Sequence, residues 1–295
     1  MIHKFFILCL ILILFPACTQ IDEFFSQPRE NITVHFMQLR GESIFIDTNG
    51  LDVLIDAGDG GQEGPKVVDY LKNLNQTNID ILIASHHHGD HINGLEAVLD
   101  SINVTTILDN GVENADYFNL SKKNYQDYIS LAKTKDFIIA ERGQTYNLDN
   151  FTTLTILNPV QPLEFDEEND NSIVVKLTYH NVSFIFTGDC GKPCEGSMVK
   201  SGLNLSADFL KIGHHGNKDS TGHSLLDNVN PSFAIINDGK SNIPDRPSHL
   251  VLWNLRDRGI KTYLTGKHGD IIIKTDGNEY WMPYNSKPIQ RAYDK

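Results

Sequence analysis

An α/β sandwich, two mixed β-sheets packed face to face with helices outside them, is the architecture that this 295-residue sequence predicts. Three observations point there. The composition is globular, 40% hydrophobic and 21% charged, which argues against a disordered chain, a collagen or a multi-pass membrane protein. Short β-rich runs recur in both halves of the sequence, and each half also carries apolar residues at helical spacing. No repeat at fixed period, low-complexity tract or linker interrupts residues 31–285, so a single domain is expected over that span.

The elements follow in order. Residues 33–36, 43–47 and 52–55 are short β-rich segments separated by Gly41 and by Asn49-Gly50, a hairpin signal, so the domain opens antiparallel. Residues 58–64 read as a loop, Pro65 sits where helices begin, and Val67, Val68, Leu71 and Leu74 fall on one helical face. A buried strand at 79–84, a helix at 92–99, a strand at 104–108 and a helix at 125–133 complete the first half. In the second half, strands are expected at 152–157, 172–179, 182–187, 209–212, 233–236, 262–264 and 270–274. His180-Asn181 is the turn between the second and third of these, and 250–258 is a helix.

The ends of the chain read differently. His3 and Lys4 precede an unbroken apolar run of eleven residues, 5–15, which is short of the roughly 20 needed to span a bilayer and fits a secretory signal. Ala17-Cys18 follows and resembles a lipobox, which implies a signal over 1–17 and Cys18 as a lipidated N-terminus; plain secretion or an uncleaved anchor are the alternatives. A polar linker at 18–30 and a polar tail at 286–295 flank the domain. An extracytoplasmic location, secreted or lipid-anchored, is therefore expected. With Cys9 in the signal and Cys18 used for lipid, Cys190 and Cys194 remain, and a non-reducing compartment would allow a disulfide between them, a buried thiol being the alternative. The net charge is −13, so tight binding of duplex DNA is not expected and any polyanion must be drawn in by a local site.

The chemistry lies in residues 81–94. A buried strand ends in Ser85-His86-His87-His88-Gly89-Asp90-His91, four histidines and an aspartate within six residues. Side chains two apart can project to one side, while Asp90 and His91 open the next helix. Imidazole with carboxylate suits Zn²⁺, with Mn²⁺ or Fe as alternatives, and such a cluster can hold one or two cations.

The pattern His86-x-His88-x-Asp90-His91 resembles the signature of the metallo-β-lactamase-like hydrolases. Asp56-Ala57-Gly58 is similar to the strand-end aspartate and glycine ahead of that loop. Gly188-Asp189 after the 182–187 strand resembles the segment delivering a bridging aspartate, and His214-His215-Gly216 the segment delivering the last histidine. The likeness covers about residues 32–280 and implies a metallo-β-lactamase-like αββα sandwich. Within that superfamily the chain looks like the hydrolase domain of ComEC-type competence proteins. Asn169-Asp-Asn-Ser172 resembles their Asn-Asp-x-Ser strand entry, His214-His-Gly-Asn-Lys218-Asp-Ser220 their His-His-Gly-Ser-Lys-x-Ser run, and Arg246-Pro-Ser248 their His-Pro-Ser. Arg246 replaces the histidine of that last motif, Gln38-Leu-Arg-Gly-Glu42 replaces an Asp-Val-Gly-Gln-Gly-Asp loop, and no membrane channel accompanies the domain.

By this resemblance His86 and His88 bind one metal, Asp90, His91 and His214 the other, and Asp189 bridges them. A further histidine expected about twenty residues before Asp189 is missing; Asn169, Asp170 and Asn171 stand there, and His180 is only nine residues before it, so a single-metal centre is one outcome. His214 and His215 are hard to separate. Alternation along an extended chain lets only one reach the metals, here taken as His214, with His215 facing substrate. Asp90 and His215 are the expected catalytic residues, and Lys218, Ser220 and Arg246 the expected substrate contacts. Lys211, Lys218, Arg246 and Lys267 would form a positive rim.

A divalent cation lowers the pKa of bound water from 15.7 to about 7, which supplies hydroxide without a side-chain nucleophile. No Gly-x-Ser-x-Gly elbow offers an alternative. The leading expectation is attack by metal-bound hydroxide on a small or oligomeric phosphodiester, nuclease-like in kind. An acyl hydrolase, lactonase- or β-lactamase-like, is the first alternative, and a non-catalytic binding module the second.

Overall fold

The computed structural model describes residues 31–112, 122–239 and 246–282; the signal, linker and tail expected at the termini lie outside them. Strands β1 (Ile32–Phe36), β2 (Ile44–Asp47) and β3 (Val53–Ile55) pair antiparallel, as the opening pattern requires. Next come α1 (Glu63–Asn73), β4 (Asn78–Ala84), α2 (Gly89–Ile92), α3 (Leu95–Ser101), β5 (Asn103–Asp109), α4 (Lys122–Ala132) and β6 (Asp136–Ile139), with β3 to β6 all parallel. The second half repeats the plan. Strands β7 (Thr145–Asn147), β8 (Thr152–Asn158), β9 (Val174–Tyr179) and β10 (Val182–Phe186) are antiparallel. They lead through α5 (Lys192–Lys200) into β11 (Phe209–Lys211), α6 (His223–Val229), β12 (Phe233–Ile236), α7 (His249–Asp257) and β13 (Lys261–Leu264), with β10 to β13 parallel. After α8 (Thr265–His268), β14 (Ile271–Thr275) and β15 (Tyr280–Trp281) return to the first sheet beside β1.

Among the described residues the sheets run β15-β14-β1-β2-β3-β4-β5-β6 and β13-β12-β11-β10-β9-β8-β7. Alternation decides what each face meets. Phe36, Ile44, Ile55 and Ile83 of the first sheet pack on Ile156, Val175, Leu177, Phe184 and Phe186 of the second, forming the central core. The opposite face of the first sheet, with Phe45, Leu54, Leu82 and Ile107, is covered by Val67 and Leu71 of α1, Leu95 and Val98 of α3, and Tyr128 of α4. Leu210, Ala234 and Ile236 of the second sheet meet Met198 of α5, Leu225 and Leu226 of α6, and Leu255 of α7. The result is the expected four-layer αββα sandwich. Each fully buried Phe, Leu or Ile adds about 1.5–3 kcal/mol to folding.

Differences from expectation have local causes. The single helix expected at 92–99 is two, α2 and α3, broken at Asn93-Gly94. Gly94 packs so closely that a β-carbon there would lie 2.0 Å from the Ala57 carbonyl oxygen, and an unbroken helical face could not make that approach. Leu74 caps α1 at 43% exposure instead of joining its buried face. The Asn49-Gly50 link is a longer loop, in which the Asp52 side chain accepts from the Thr48 amide at 2.9 Å. Elements β6, β7, α5, α6, α8 and β15 are not among the expected ones; β6 and β7 are edge strands with no fully buried residue, and α5 has polar residues over most of its length. The His180-Asn181 turn is as expected, with Tyr179 paired to Val182. No helix among the described residues is long and apolar enough to cross a membrane.

Candidate metal centre

Six of the parallel strands, three in each sheet, deliver polar residues from their carboxyl ends. Asp56 follows β3, the 85–91 loop follows β4, Asp109 ends β5, Asp189 follows β10, His214 and His215 follow β11, and Asn237 follows β12. Carboxyl ends of parallel strands are where open backbone groups and loops converge, so a site forms there without disturbing the core. Gly41 closes the floor: with φ of 89°, its α-carbon lies where a β-carbon would be 1.9 Å from the Asp90 carbonyl oxygen, and the Glu42 amide donates to that oxygen at 3.0 Å.

Asp90, His91, Asp189 and His215 each offer one donor atom, all within 4.8 Å of one another. His91 Nε2 is 3.3 Å from Asp189 Oδ1, His215 Nε2 is 3.6 Å from the same oxygen and 3.2 Å from Asp90 Oδ2. Donors around a tetrahedral cation with bonds of about 2.1 Å stand ~3.4 Å apart, so these spacings suit one divalent ion. His91 Nε2, Asp189 Oδ1 and His215 Nε2 are buried and lack a hydrogen-bond partner. Orphaned buried atoms are costly, and three converging on one point fit a cation.

The far side of each ring is fixed. His91 Nδ1 lies 2.7 Å from Asp56 Oδ2, and Asp56 also accepts from the Ser85 amide and hydroxyl at 2.8 and 2.6 Å. His215 Nδ1 donates to the Asn237 carbonyl at 2.6 Å. Both contacts leave Nε2 turned toward the cluster. Asp56→Asn is expected to weaken cation affinity about 10–100-fold, read by isothermal titration; unchanged affinity would mean the carboxylate does not orient His91.

The charges are arranged accordingly. Burial alone would push Asp189 up, but the rings of His215, His91 and His214 hold it well below the usual carboxylate range. Burial alone would lower His91, and Asp189, Asp56 and Asp90 outweigh it and raise it well above the usual imidazole value; His215 is raised likewise by Asp189 and Asp90. A cation binding at these rings therefore competes with protons. Cation affinity should fall as pH falls, with release of about one to two protons per ion bound, measurable by titration calorimetry in buffers of different ionisation enthalpy.

The remaining expected ligands form a second group around the other carboxylate oxygen. His86 Nε2 is 3.9 Å from Asp189 Oδ2 and 3.1 Å from His88 Nδ1, and His214 Nε2 is 3.6 Å from Asp189 Oδ2. His214 was expected beside Asp90 and His91; in the structure the ring grouped with them is His215, and His214 stands on the Oδ2 side of Asp189. Residues 213–216 form a 3₁₀ turn in which His214 and His215 have φ of 49° and 52°, so the alternation of an extended strand does not apply and both rings reach Asp189. Burial lowers His214 to about 4, and Arg246 Nη2 stands 2.9 Å from its Nε2.

Other expectations resolve case by case. His87 is buried, with Nε2 2.9 Å from Asp109 Oδ2; Asp109 also accepts from the Tyr128 hydroxyl at 2.7 Å. Asp170 Oδ1 accepts from the Gly191 amide at 3.1 Å and the Asn171 amide group donates to the Phe165 carbonyl at 2.7 Å, so neither turns to the cluster. Glu168, which the sequence did not single out, does: its Oε1 accepts from the His87 amide at 2.5 Å and its Oε2 is 4.0 Å from His88 Nε2. His180 stacks on Phe151 in the β9–β10 turn, at the opposite end of β10 from Asp189.

Ser220, expected to contact substrate, is instead buried, its hydroxyl within hydrogen-bond distance of the carbonyls of Gly213 at 2.7 Å and Asn217 at 2.9 Å, which closes the loop behind the two histidines. Lys218 is exposed on that loop and Arg246 is half-buried. Lys211 is not on the rim: it is fully buried, ion-paired with Glu42, and donates to the Gly188 carbonyl at 2.7 Å. Neither residue of that pair was legible as such, although both sit beside motifs. Cys190, just ahead of α5, and Cys194 in its first turn form the disulfide that the sequence allowed.

A four-layer sandwich with a histidine–carboxylate cation site at its strand ends defines a metal-dependent hydrolase. The Metallo-beta-lactamase superfamily description matches residues 38–236, and the chain belongs to that superfamily. It is similar to ComE operon protein 3 of Bacillus subtilis (strain 168), 29% identical over 218 residues that cover 72% of this chain and 27% of that protein. The chain spans under a third of the length of the competence proteins it matches. A stretch of 60 residues, 20% of this chain and 18% of the relative, is 42% identical to Ribonuclease Z of Clostridioides difficile (strain 630). The solved structure of Igni18, a metallo hydrolase from Ignicoccus hospitalis KIN4/I, shares the fold with TM-score 0.51 at 14% identity, over 81% of this chain and 98% of that one.

Proposed function

We propose that the protein is an exported, metal-dependent phosphodiesterase of nuclease-like type, acting on a nucleotide, a short oligonucleotide or another small phosphodiester. The observation that carries this reading is a fixed positive charge at the centre: Arg246 Nη2 lies 2.9 Å from His214 Nε2, which is itself 3.6 Å from Asp189. A guanidinium matches two oxygens of an anionic group such as a phosphate in one plane. The likeness to competence proteins and to a protein named Ribonuclease Z supports the same substrate class. The net charge of −13 favours small substrates over long duplexes.

Zn²⁺, with Mn²⁺ or Fe as alternatives, would be held by Asp90, His91, Asp189 and His215, supplying a Lewis acid and a coordinated water of pKa about 7. The chain's own residues do the rest. Asp56 and the Asn237 carbonyl orient His91 and His215, the low carboxylate range of Asp189 keeps it anionic, and Asp90 borders the open side at 36% side-chain exposure. Export with a signal over 1–17 and lipid on Cys18 accords with the Cys190–Cys194 disulfide. Mass spectrometry of the membrane fraction would find a lipid-modified peptide beginning at Cys18; an intact N-terminus would refute it.

The test is hydrolysis of bis(p-nitrophenyl) phosphate against a p-nitrophenyl carboxylic ester by the cation-loaded protein. Phosphodiester cleavage that falls in Arg246→Ala supports the proposal. Cleavage of the ester alone would make it an acyl hydrolase, and a protein that retains no metal and is inert on both would make it a binding module.

A further inference from the structure

The cluster has room for two groups of donors around Asp189, and the described residues treat them differently. On the Oδ1 side, His91 Nε2, His215 Nε2 and Asp189 Oδ1 itself are all without a hydrogen-bond partner. On the Oδ2 side the imidazole nitrogens that face the cluster have neighbours, although Glu168 Oε2, 4.0 Å from His88 Nε2, is without a hydrogen-bond partner. His86 Nε2 and His88 Nδ1 face each other at 3.1 Å, and His214 Nε2, the nitrogen that faces Asp189, has Arg246 Nη2 at 2.9 Å. A neutral imidazole has one free lone pair per ring, so His214 Nε2 can accept from the guanidinium or bind a cation, not both. A guanidinium is permanently charged, so its position also repels a divalent ion from the same pocket.

We infer that the Arg246 guanidinium is the second positive charge of this centre, taking the place of a second metal: the protein carries one divalent cation, held by Asp90, His91, Asp189 and His215, and Arg246 stands beside it. Its remaining N–H groups are then available to an anionic oxygen of the substrate, a role that rests on the phosphodiester reading. The charge is built into the chain, so the centre is complete with a single ion. Arg246 is joined to Pro247, whose β-carbon lies 2.5 Å from where a β-carbon on Gly216 would be, so the segment bearing the arginine is packed directly against the histidine turn. Glycine at 216, with φ of 81°, is what permits that approach.

The experiment is a metal count on the full-length chain loaded with Mn²⁺ and desalted, by elemental analysis and electron paramagnetic resonance. Wild type is expected to hold one ion per chain with an isolated six-line signal. Arg246→Ala and Arg246→His are expected to take up a second ion and show an exchange-coupled signal, while Arg246→Lys stays at one. His88→Ala should keep its ion and His215→Ala should lose it, with thermal melting used to confirm that each variant is folded. Two ions in wild type, or one ion in Arg246→Ala and Arg246→His alike, would overturn the inference, as would loss of the ion in a folded His88→Ala. The count is made without substrate, so a protein that cleaves esters in place of phosphodiesters leaves this result standing.

Discussion

Asp189→Ala is expected to strip the centre of its cation and to lower hydrolysis by about 10³-fold or more, on the order of 4 kcal/mol of transition-state stabilisation. Asp189 lies near four imidazoles of the cluster: His91 at 3.3 Å, His214 and His215 at 3.6 Å, and His86 at 3.9 Å. Without it, the raised His91 and His215 lose the carboxylate that outweighs their burial, and no neighbouring residue replaces it between them. Asp189→Asn keeps the shape and removes the charge, so it separates the two effects. Both variants should fall to background in metal content by elemental analysis and in hydrolysis of the chromogenic phosphodiester. Retention of one ion with activity within tenfold of wild type would show that Asp90, His91 and His215 suffice.

The largest effect on stability is expected beneath the site. Lys211 and Glu42 are both fully buried and paired, and Lys211 also donates to the Gly188 carbonyl at 2.7 Å, next to Asp189. Removing one partner of a buried pair leaves an uncompensated charge and costs about 3–5 kcal/mol. For a domain of this size that corresponds to ~10 °C in melting temperature for Lys211→Met. The double variant Glu42→Gln with Lys211→Met should recover much of the loss, because no bare charge remains. Burial already raises the Glu42 carboxyl above its ordinary value against the pull of Lys211, and in Lys211→Met that opposing pull is gone. The native state of the variant then binds the proton more tightly than the unfolded chain. Its deficit is therefore smallest at acid pH, below the ordinary carboxyl range, and grows as pH rises through the raised value. Melting curves from pH 5 to 8 would show it; an equal deficit at every pH would mean that Glu42 is not left ionised.

How much of this was legible depended on distance along the chain. His86, His88, Asp90 and His91 are contiguous with a strand whose alternation is plain, so a short pattern carried both the fold position and the chemistry. Asp189 was legible through the resemblance of Gly188-Asp189, just after β10, to the segment that delivers a bridging aspartate. Glu168 was passed over in favour of its neighbours Asn169, Asp170 and Asn171, because a 3₁₀ turn, unlike a strand, does not announce which side chain points inward. The pair Glu42 and Lys211 was missed for another reason: a lysine in a strand of three residues reads as surface until its partner, from a loop of the other sheet, is brought beside it.

The sequence by itself determined the four-layer class, the metal loop and the residues that could act as donors, because period-two alternation and ligand spacing are local properties. The tertiary structure alone decided which donors converge. Two consecutive histidines both reach Asp189 because their backbone turns left-handed between Gly213 and Gly216, and Arg246 meets His214 because Pro247 packs on Gly216. Those are contacts between segments far apart in the chain, fixed by packing at the ends of parallel strands, and no pattern within either segment encodes them.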